Sequence, residues 1–328
     1  MSHQTLQFIN KSVRNKDKYN ILTFDTHERY QQQLCKTGHS FYSFRYENCK
    51  RWDESYAKIP DNYYLMPDNS ITASIGFDFI LSQSKFGQFQ ASQHINQRFK
   101  LPVISLEHTL PISNWPDNQL QTFRSMSGDI NVFISDYSKD KWDIDNKAKV
   151  IHHSVDSEMF KPVDGEKKPH VLSVVNDFIN RDYCCNYQGW KRITDGLNVK
   201  LLGKTEGLSE PAGSIEELSQ AYAEAQVFLN TSTVSPVPTC LLEAMSCGCA
   251  CVSTATCMIP DIIDHGVNGF ISNDEDELRG CIETLLKDED LRSKLGAAAR
   301  QTILDDFSEE KFINSWNETF DMAYGVIK

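Results

Sequence analysis

The chain has 328 residues, 40% hydrophobic and 24% charged, enough for two ordinary domains that each bury a core. Its net charge of −12 disfavours a generic polyanion binder, and no apolar run is long enough to span a membrane. The charge is uneven: residues 1–150 carry 18 Lys+Arg against 16 Asp+Glu, a net +2, and residues 151–328 carry 15 against 29, a net −14. The halves are therefore expected to face different partners. Ten cysteines at irregular spacing predict reduced thiols and a cytoplasmic location. The opening Met1–Phe8 lacks the charged and apolar regions of a secretion signal.

Tyr19–Phe24 reads as a first strand, Asp25–Lys36 as a polar helix ending near Gly38, and Phe41–Phe44 as a second strand. That order fits a doubly wound domain, but its first loop lacks the glycine-rich dinucleotide fingerprint, so no nicotinamide or flavin cofactor is expected. From Phe41 to Tyr64, rings alternate with cations, including Lys50 and Arg51, a composition able to grip phosphates or to stack bases and sugars. The alternative is a surface segment that packs its rings on its own domain. Phe77–Leu81 is a strand, followed by a polar segment through Lys100. Pro102–Leu106 is a strand running into Glu107 and His108, and a His at the carboxyl end of a parallel strand stands where open α/β sheets bind ligands. The polar stretch Val163–Lys168 is the linker.

Val171–Val175 opens a second domain, continued by strands at Val199–Leu202 and Val227–Leu229 with a helix over Ile215–Ala225 between them. Asn230–Phe270 then organises the chain: a loop, a short helix, the buried strand Cys249–Val252, a second helix start and a turn around Gly266 and Gly269. Ser235 or Thr239 is placed to cap the helix, Pro236 and Pro238 suit its first turn, and Gly248 suits its left-handed end. A loop feeding a helix start beside a parallel sheet turns free N–H groups and the helix dipole toward an anion. Glu243, one turn inside, is either a carboxylate that accepts from a pair of hydroxyls or a solvated helix residue. Cys247, Cys249 and Cys251 straddle a helix end and a strand and read as small buried hydrophobes, and no metal set is found. Amphipathic helices follow over Asp276–Leu286, Leu291–Leu304 and Ser308–Tyr324.

The run P-T-C-L-L-E-A-M-S-C-G-C-A-C-V-S-T, followed by I-P-D-I-I-D-H-G-V-N-G-F, resembles the signature of glycosyltransferase family 4. The resemblance is strong after Val227 and weak from about residue 100 to the linker, and the first hundred residues carry no recognised motif. It implies an α/β chain of two Rossmann-like domains facing across a cleft, the GT-B fold, with the last helix returning to the first domain. The boundaries it implies are 1–155 with 310–328 for an acceptor-binding domain and 156–309 for a nucleotide-sugar-binding domain. Trp316 and Phe320 are placed to dock that helix.

The resemblance also implies roles. Glu243 matches the family glutamate that holds the donor ribose, and Pro238, Thr239 and Cys240 begin the helix that receives the diphosphate. By position His108 faces the transferred sugar. The family's first glutamate falls eight positions before Glu243, where this chain has Ser235, and Pro236, Val237 and Pro238 replace Gly-Phe-Gly. Asn176 and Asp177 stand where the family has Gly-Arg, which leaves Arg181 and Lys191 as the cations for the diphosphate in place of a metal. The implied reaction is metal-independent sugar transfer with retention from a nucleotide sugar, with no further cofactor. The acceptor is a glycan or lipid, or alternatively a hydroxymethylated DNA base contacted by Lys50 and Arg51. A third reading, from the missing first glutamate, is a nucleotide-sugar-binding protein without transfer activity.

Overall fold

Short apolar runs that can be covered on both faces build the fold, because only a parallel sheet packed between helices hides both sides of such a run. In the computed structural model, residues 18–72, 74–144, 146–163 and 165–326 are described; the opening Met1–Phe8 lies outside them. The chain divides into unit 1, Met1–His152 with Phe312–Lys328, and unit 2, His153–Lys311.

Unit 1 contains, in order, β1 (Asn20–Thr23), α1 (Glu28–Cys35), β2 (Ser40–Ser43), β3 (Tyr63–Leu65), β4 (Phe79–Ser82), α2 (Gln88–Phe99), β5 (Val103–Glu107), α3 (Asp117–Ser125), β6 (Ile130–Phe133), α4 (Asp136–Trp142) and β7 (Ala148–Val150). All seven strands pair in parallel in the order β3-β2-β1-β4-β5-β6-β7. Every residue of β4, β5 and β6 is buried, as central strands covered on both faces require. The sequence between β4 and β5, polar to the eye, forms α2, which buries Phe89, Ile95 and Phe99.

Unit 2 contains β8 (Lys168–Val174), α5 (Asp182–Cys185), α6 (Tyr187–Thr194), β9 (Val199–Leu202), α7 (Ile215–Glu224), β10 (Ala225–Asn230), α8 (Thr239–Ser246), β11 (Ala250–Ser253), α9 (Ile259–Ile262), β12 (Phe270–Ile271), α10 (Glu275–Lys287) and α11 (Glu289–Asp306). Its five strands are parallel in the order β12-β11-β10-β8-β9. Helix α8 buries Leu241, Leu242, Ala244 and Met245, and Gly248 ends it at φ 65°. Against that end packs Gly296 of α11, where an added Cβ would come within 2.3 Å of the Gly248 carbonyl oxygen, so the approach tolerates no side chain. The N-cap of α8 differs from the sequence expectation. Pro238 holds that position in extended geometry and makes no side-chain cap bond, and Thr239 is already the first helical residue.

The last helix, α12 (Glu309–Gly325), completes unit 1. Trp316 and Phe320 are wholly buried, a burial that contributes roughly 2–3 kcal/mol for each. The Trp316 indole N–H donates to the Tyr30 hydroxyl at 3.0 Å, and Phe320 stacks on Phe79 of β4 with centroids 5.3 Å apart.

Candidate functional site

In unit 2, β8 leads outward to β9 on one side, and β10 leads through β11 to β12 on the other. Strand order thus reverses between β8 and β10, and the loops leaving their carboxyl ends diverge to leave a crevice. The loop after β8 is fixed against the loop after β9. The Asp177 N–H donates to the Lys204 carbonyl at 2.8 Å, the Lys204 N–H to Asn176 Oδ1 at 2.8 Å, and the Phe178 N–H to Thr205 Oγ1 at 3.0 Å. The two loops run so close that a Cβ at Gly203, φ 118°, would meet the Val175 carbonyl oxygen at 2.1 Å.

The loop after β10 is clamped from both sides. The Thr233 N–H donates to the Cys184 carbonyl at 2.8 Å, and Thr231 Oγ1 donates to the Cys185 carbonyl at 2.9 Å. On the other side Thr256 Oγ1 donates to the Ser232 carbonyl at 2.8 Å. This clamp was not legible in the sequence, where only the hydroxyls of Ser253, Thr254 and Thr256 at the end of β11 hint at it. Ser235 is half-buried in this loop, and among the described residues its hydroxyl has no hydrogen-bond partner. Thr239 is exposed and Cys240 half-buried at the start of α8. Burial and the nearby Glu243 carboxylate push the Cys240 thiol up to about 12, so it stays protonated at neutral pH.

Glu243 is buried, and its Oε2 accepts from the hydroxyl of Tyr222 on α7 at 3.0 Å. This is not the solvated helix carboxylate of the plainer reading. A buried carboxylate is retained at a cost unless hydrogen-bonded, and here a buried tyrosine fixes its orientation. Arg181, exposed, ends the loop after β8 and begins α5, with Nη1 3.5 Å from the Asn176 carbonyl oxygen. Lys191 lies on the exposed side of α6, its Nζ 5.7 Å from the Tyr187 ring centroid. Its neighbour Arg192 is bound by both carboxylate oxygens of Glu275, at 2.7 and 2.6 Å.

Unit 1 repeats the reversal between β1 and β4. Between the loops leaving those strands is a cavity of about 580 Å³ whose walls include Phe24, Asp25, His27, Tyr46, Lys50 and Phe86. Asp25 accepts from Ser43 Oγ at 2.6 Å, the Tyr63 hydroxyl at 2.9 Å and the Trp52 N–H at 3.3 Å. His27 is left-handed at φ 45°, and its ring lies 4.0 Å, centroid to centroid, from that of His108. His27 is exposed as a whole residue, yet desolvation of its ring by the surrounding protein, then Lys50, push it down to about 4, so it is neutral at pH 7. His108, buried at the end of β5, has Nε2 3.3 Å from Gln83 Oε1 and meets the Tyr30 ring edge-on. No sequence signal marked His27, because its importance comes from a backbone conformation and a neighbour 81 positions away.

Lys50 and Arg51 are committed within unit 1. Lys50 Nζ lies 2.7 Å from Glu28 Oε2, and Arg51 donates to both oxygens of Asp68 at 2.7 and 2.8 Å. The rings around them pack on their own unit: Trp52 against Tyr63, Tyr42 on Tyr64, and Phe44 on Tyr46. Among the described residues no group of three or more His, Cys, Asp or Glu could hold a metal ion. Among them no helix is long and apolar enough to cross a membrane.

The family described as Glycosyl transferases group 1 matches residues 211–302. N-acetyl-alpha-D-glucosaminyl L-malate synthase of Bacillus anthracis is 28% identical over 149 residues, 45% of this chain and 36% of that protein. Sulfoquinovosyl transferase SQD2 of Arabidopsis thaliana is 40% identical over 117 residues, 34% of this chain and 21% of that protein. The chain thus spans about a third and a fifth of these relatives' lengths. Among solved structures, Anabaena HepE in complex with UDP and glucose superposes with a TM-score of 0.72 at 15% identity, covering 92% of this chain and 99% of that one. Two parallel-sheet α/β units of this kind are the GT-B fold.

Proposed function

We propose that the chain is a glycosyltransferase of family 4 type. Unit 2 binds a nucleotide-diphosphate sugar, and the sugar passes with retention, and without a metal, to an acceptor hydroxyl held by unit 1. The observation that carries this reading is Glu243: a buried carboxylate, oriented by Tyr222, one turn inside a helix that starts at the strand-order reversal. It lies within the residues matched by the glycosyl transferases group 1 family. The N–H groups at Thr239 and Cys240, with the helix dipole, receive the diphosphate. Arg181 and Lys191 add the positive charge that a departing nucleotide diphosphate requires. Glu243 accepts from the ribose hydroxyls, and Ser235 and His108 are assigned to the transferred sugar. The names of the two relatives support sugar transfer, and the HepE complex with UDP and glucose supports a nucleotide-sugar donor. Ten cysteines, none paired, support a reducing, cytoplasmic setting.

The acceptor reading favours a glycan or lipid over DNA, because Lys50 and Arg51 are already matched by Glu28 and Asp68 and offer little net charge to phosphates. One observation favours a second reading, binding without transfer: a neutral, half-buried Ser235 where the family has a carboxylate. A donor screen by mass spectrometry decides between them. Sugar transfer or slow donor hydrolysis from one nucleotide sugar is expected. Tight donor binding with neither product would leave the binding protein, and no affinity for any nucleoside diphosphate would remove both. The anomeric configuration of the product, read by NMR, tests retention, and turnover in chelator tests metal independence.

A further inference from the structure

We propose that the cavity of unit 1 takes an uncharged saccharide, and that Phe86, Phe123 and Trp115 continue it as a shelf for the next sugar of a glycan. This rests on the transferase reading above and gives its acceptor a chemical class.

The first argument is charge. One lysine and one carboxylate lie in the cavity wall, and both are already engaged. Lys50 is 2.7 Å from Glu28, itself also bonded by the Asp53 N–H at 3.2 Å. Asp25 accepts three donors from its own unit. His27 is neutral at pH 7. A phosphate or sulfate headgroup would find no uncommitted cation here, and an anionic polymer would find no field to steer it.

The second argument is the wall chemistry. Phe86 offers an exposed ring and Tyr46 a half-buried one beside the exposed amide of Asn48. A pyranose presents both kinds of surface, C–H faces for the rings and hydroxyls for the amide. An alkyl chain would bury the Asn48 amide without a hydrogen-bond partner. The volume, about 580 Å³, lies within the roughly 300–1,000 Å³ of small-molecule sites.

The third argument is the shelf. Phe86 is 45% exposed although large and apolar. Its ring lies 4.9 Å from Phe123 and 5.8 Å from Trp115, and Trp115 stacks on Phe123 at 4.5 Å and 14°. Phe86 and Phe123 also belong to the cavity wall, so one aromatic surface runs from inside the cavity to outside it. Its direction favours an acceptor longer than one sugar.

The test uses the full chain and neutral di- and trisaccharides built from glucose, galactose, mannose and N-acetylglucosamine. Binding is read by saturation-transfer NMR and calorimetry. Vesicles of anionic phospholipid and a short hydroxymethylated DNA duplex serve as contrasting probes, and UDP and GDP titrations report on unit 2 separately. At least one neutral saccharide should bind, and Phe86→Ala and Trp115→Ala should each weaken it about fivefold. Nucleotide affinity should be unchanged in both variants. Saccharide binding that neither variant weakens, no saccharide binding, or binding of vesicles or DNA instead would overturn the inference. Nucleotide binding without saccharide binding sinks this inference alone, whereas failure to bind any nucleotide sinks the transferase reading.

Discussion

Both units reverse their strand order beside their first strand, unit 1 between β1 and β4 and unit 2 between β10 and β8, yet the two crevices are finished differently. In unit 2 the finish is backbone. The loops after β8 and β10 are tied by main-chain bonds to the loop after β9 and to α5, and a helix begins at the opening. In unit 1 the finish is side chains, with rings and amides around a cavity and a tilted pair of histidine rings at its edge. Fixed N–H groups suit a ligand whose phosphates never change. Side chains from separate loops suit a ligand whose identity differs from protein to protein.

The sharpest way to break this contrast is to attack the backbone of unit 2. Gly203→Ala puts a Cβ into the Val175 carbonyl at φ 118° and should cost unit 2 about 3 kcal/mol or more. A thermal melt should show the unit 2 transition falling, with nucleotide affinity lost. An unchanged melt would mean that the loop after β8 is not held as described.

Glu243→Gln keeps the shape and the Tyr222 contact but removes the charge. It should weaken nucleotide-sugar binding by roughly 1.5–3 kcal/mol, the range for a hydrogen bond to a charged group. Calorimetry with the correct donor checks this, and saccharide binding in unit 1 should not change. Equal donor affinities would remove the ribose role.

Ser235→Glu restores the family residue in a loop stiffened by Pro236 and Pro238. Placed beside a diphosphate, the carboxylate should lower turnover with the native donor about tenfold, a cost near 1.4 kcal/mol. A gain in turnover would mark Ser235 as a decayed catalytic position.

The smallest effect expected is in unit 1. Folded His27 titrates near 4 and an unfolded His near 6.5, so between those values the unfolded chain binds more protons. Stability therefore falls as pH drops from about 6.5 toward 4. His27→Asn, which also accepts the left-handed backbone, should flatten this slope in melts run across that range. An identical slope in both proteins would show that desolvation and Lys50 do not hold the His27 ring neutral.

The same contrast explains what the sequence disclosed. Strands such as Phe79–Ser82 and Ala250–Ser253 were legible because a strand buried on both faces is an unbroken apolar run. Tyr63–Leu65 and Ala148–Val150 were not, being three-residue edge strands that are partly exposed. The helix carrying Glu243 was legible because its loop, start and end are contiguous. The cavity of unit 1 was hidden because its walls come from several separated segments. Lys50 and Arg51 read as available cations, since their partners lie 22 and 17 positions away and pairing over that distance leaves no pattern.

The bond between Trp316 and Tyr30 joins residues 286 positions apart. During synthesis, at about 5–20 residues per second, the gap between them amounts to roughly 15–60 s. For most of that interval the β2–β1–β4 face bearing Phe41 and Phe79 waits for the helix that covers it, and by its end every residue of unit 2 has been made. The part of the chain that leaves the ribosome first is thus the last to be finished, and a nascent unit 1 offers sticky surface to chaperones for longer than its place in the sequence implies.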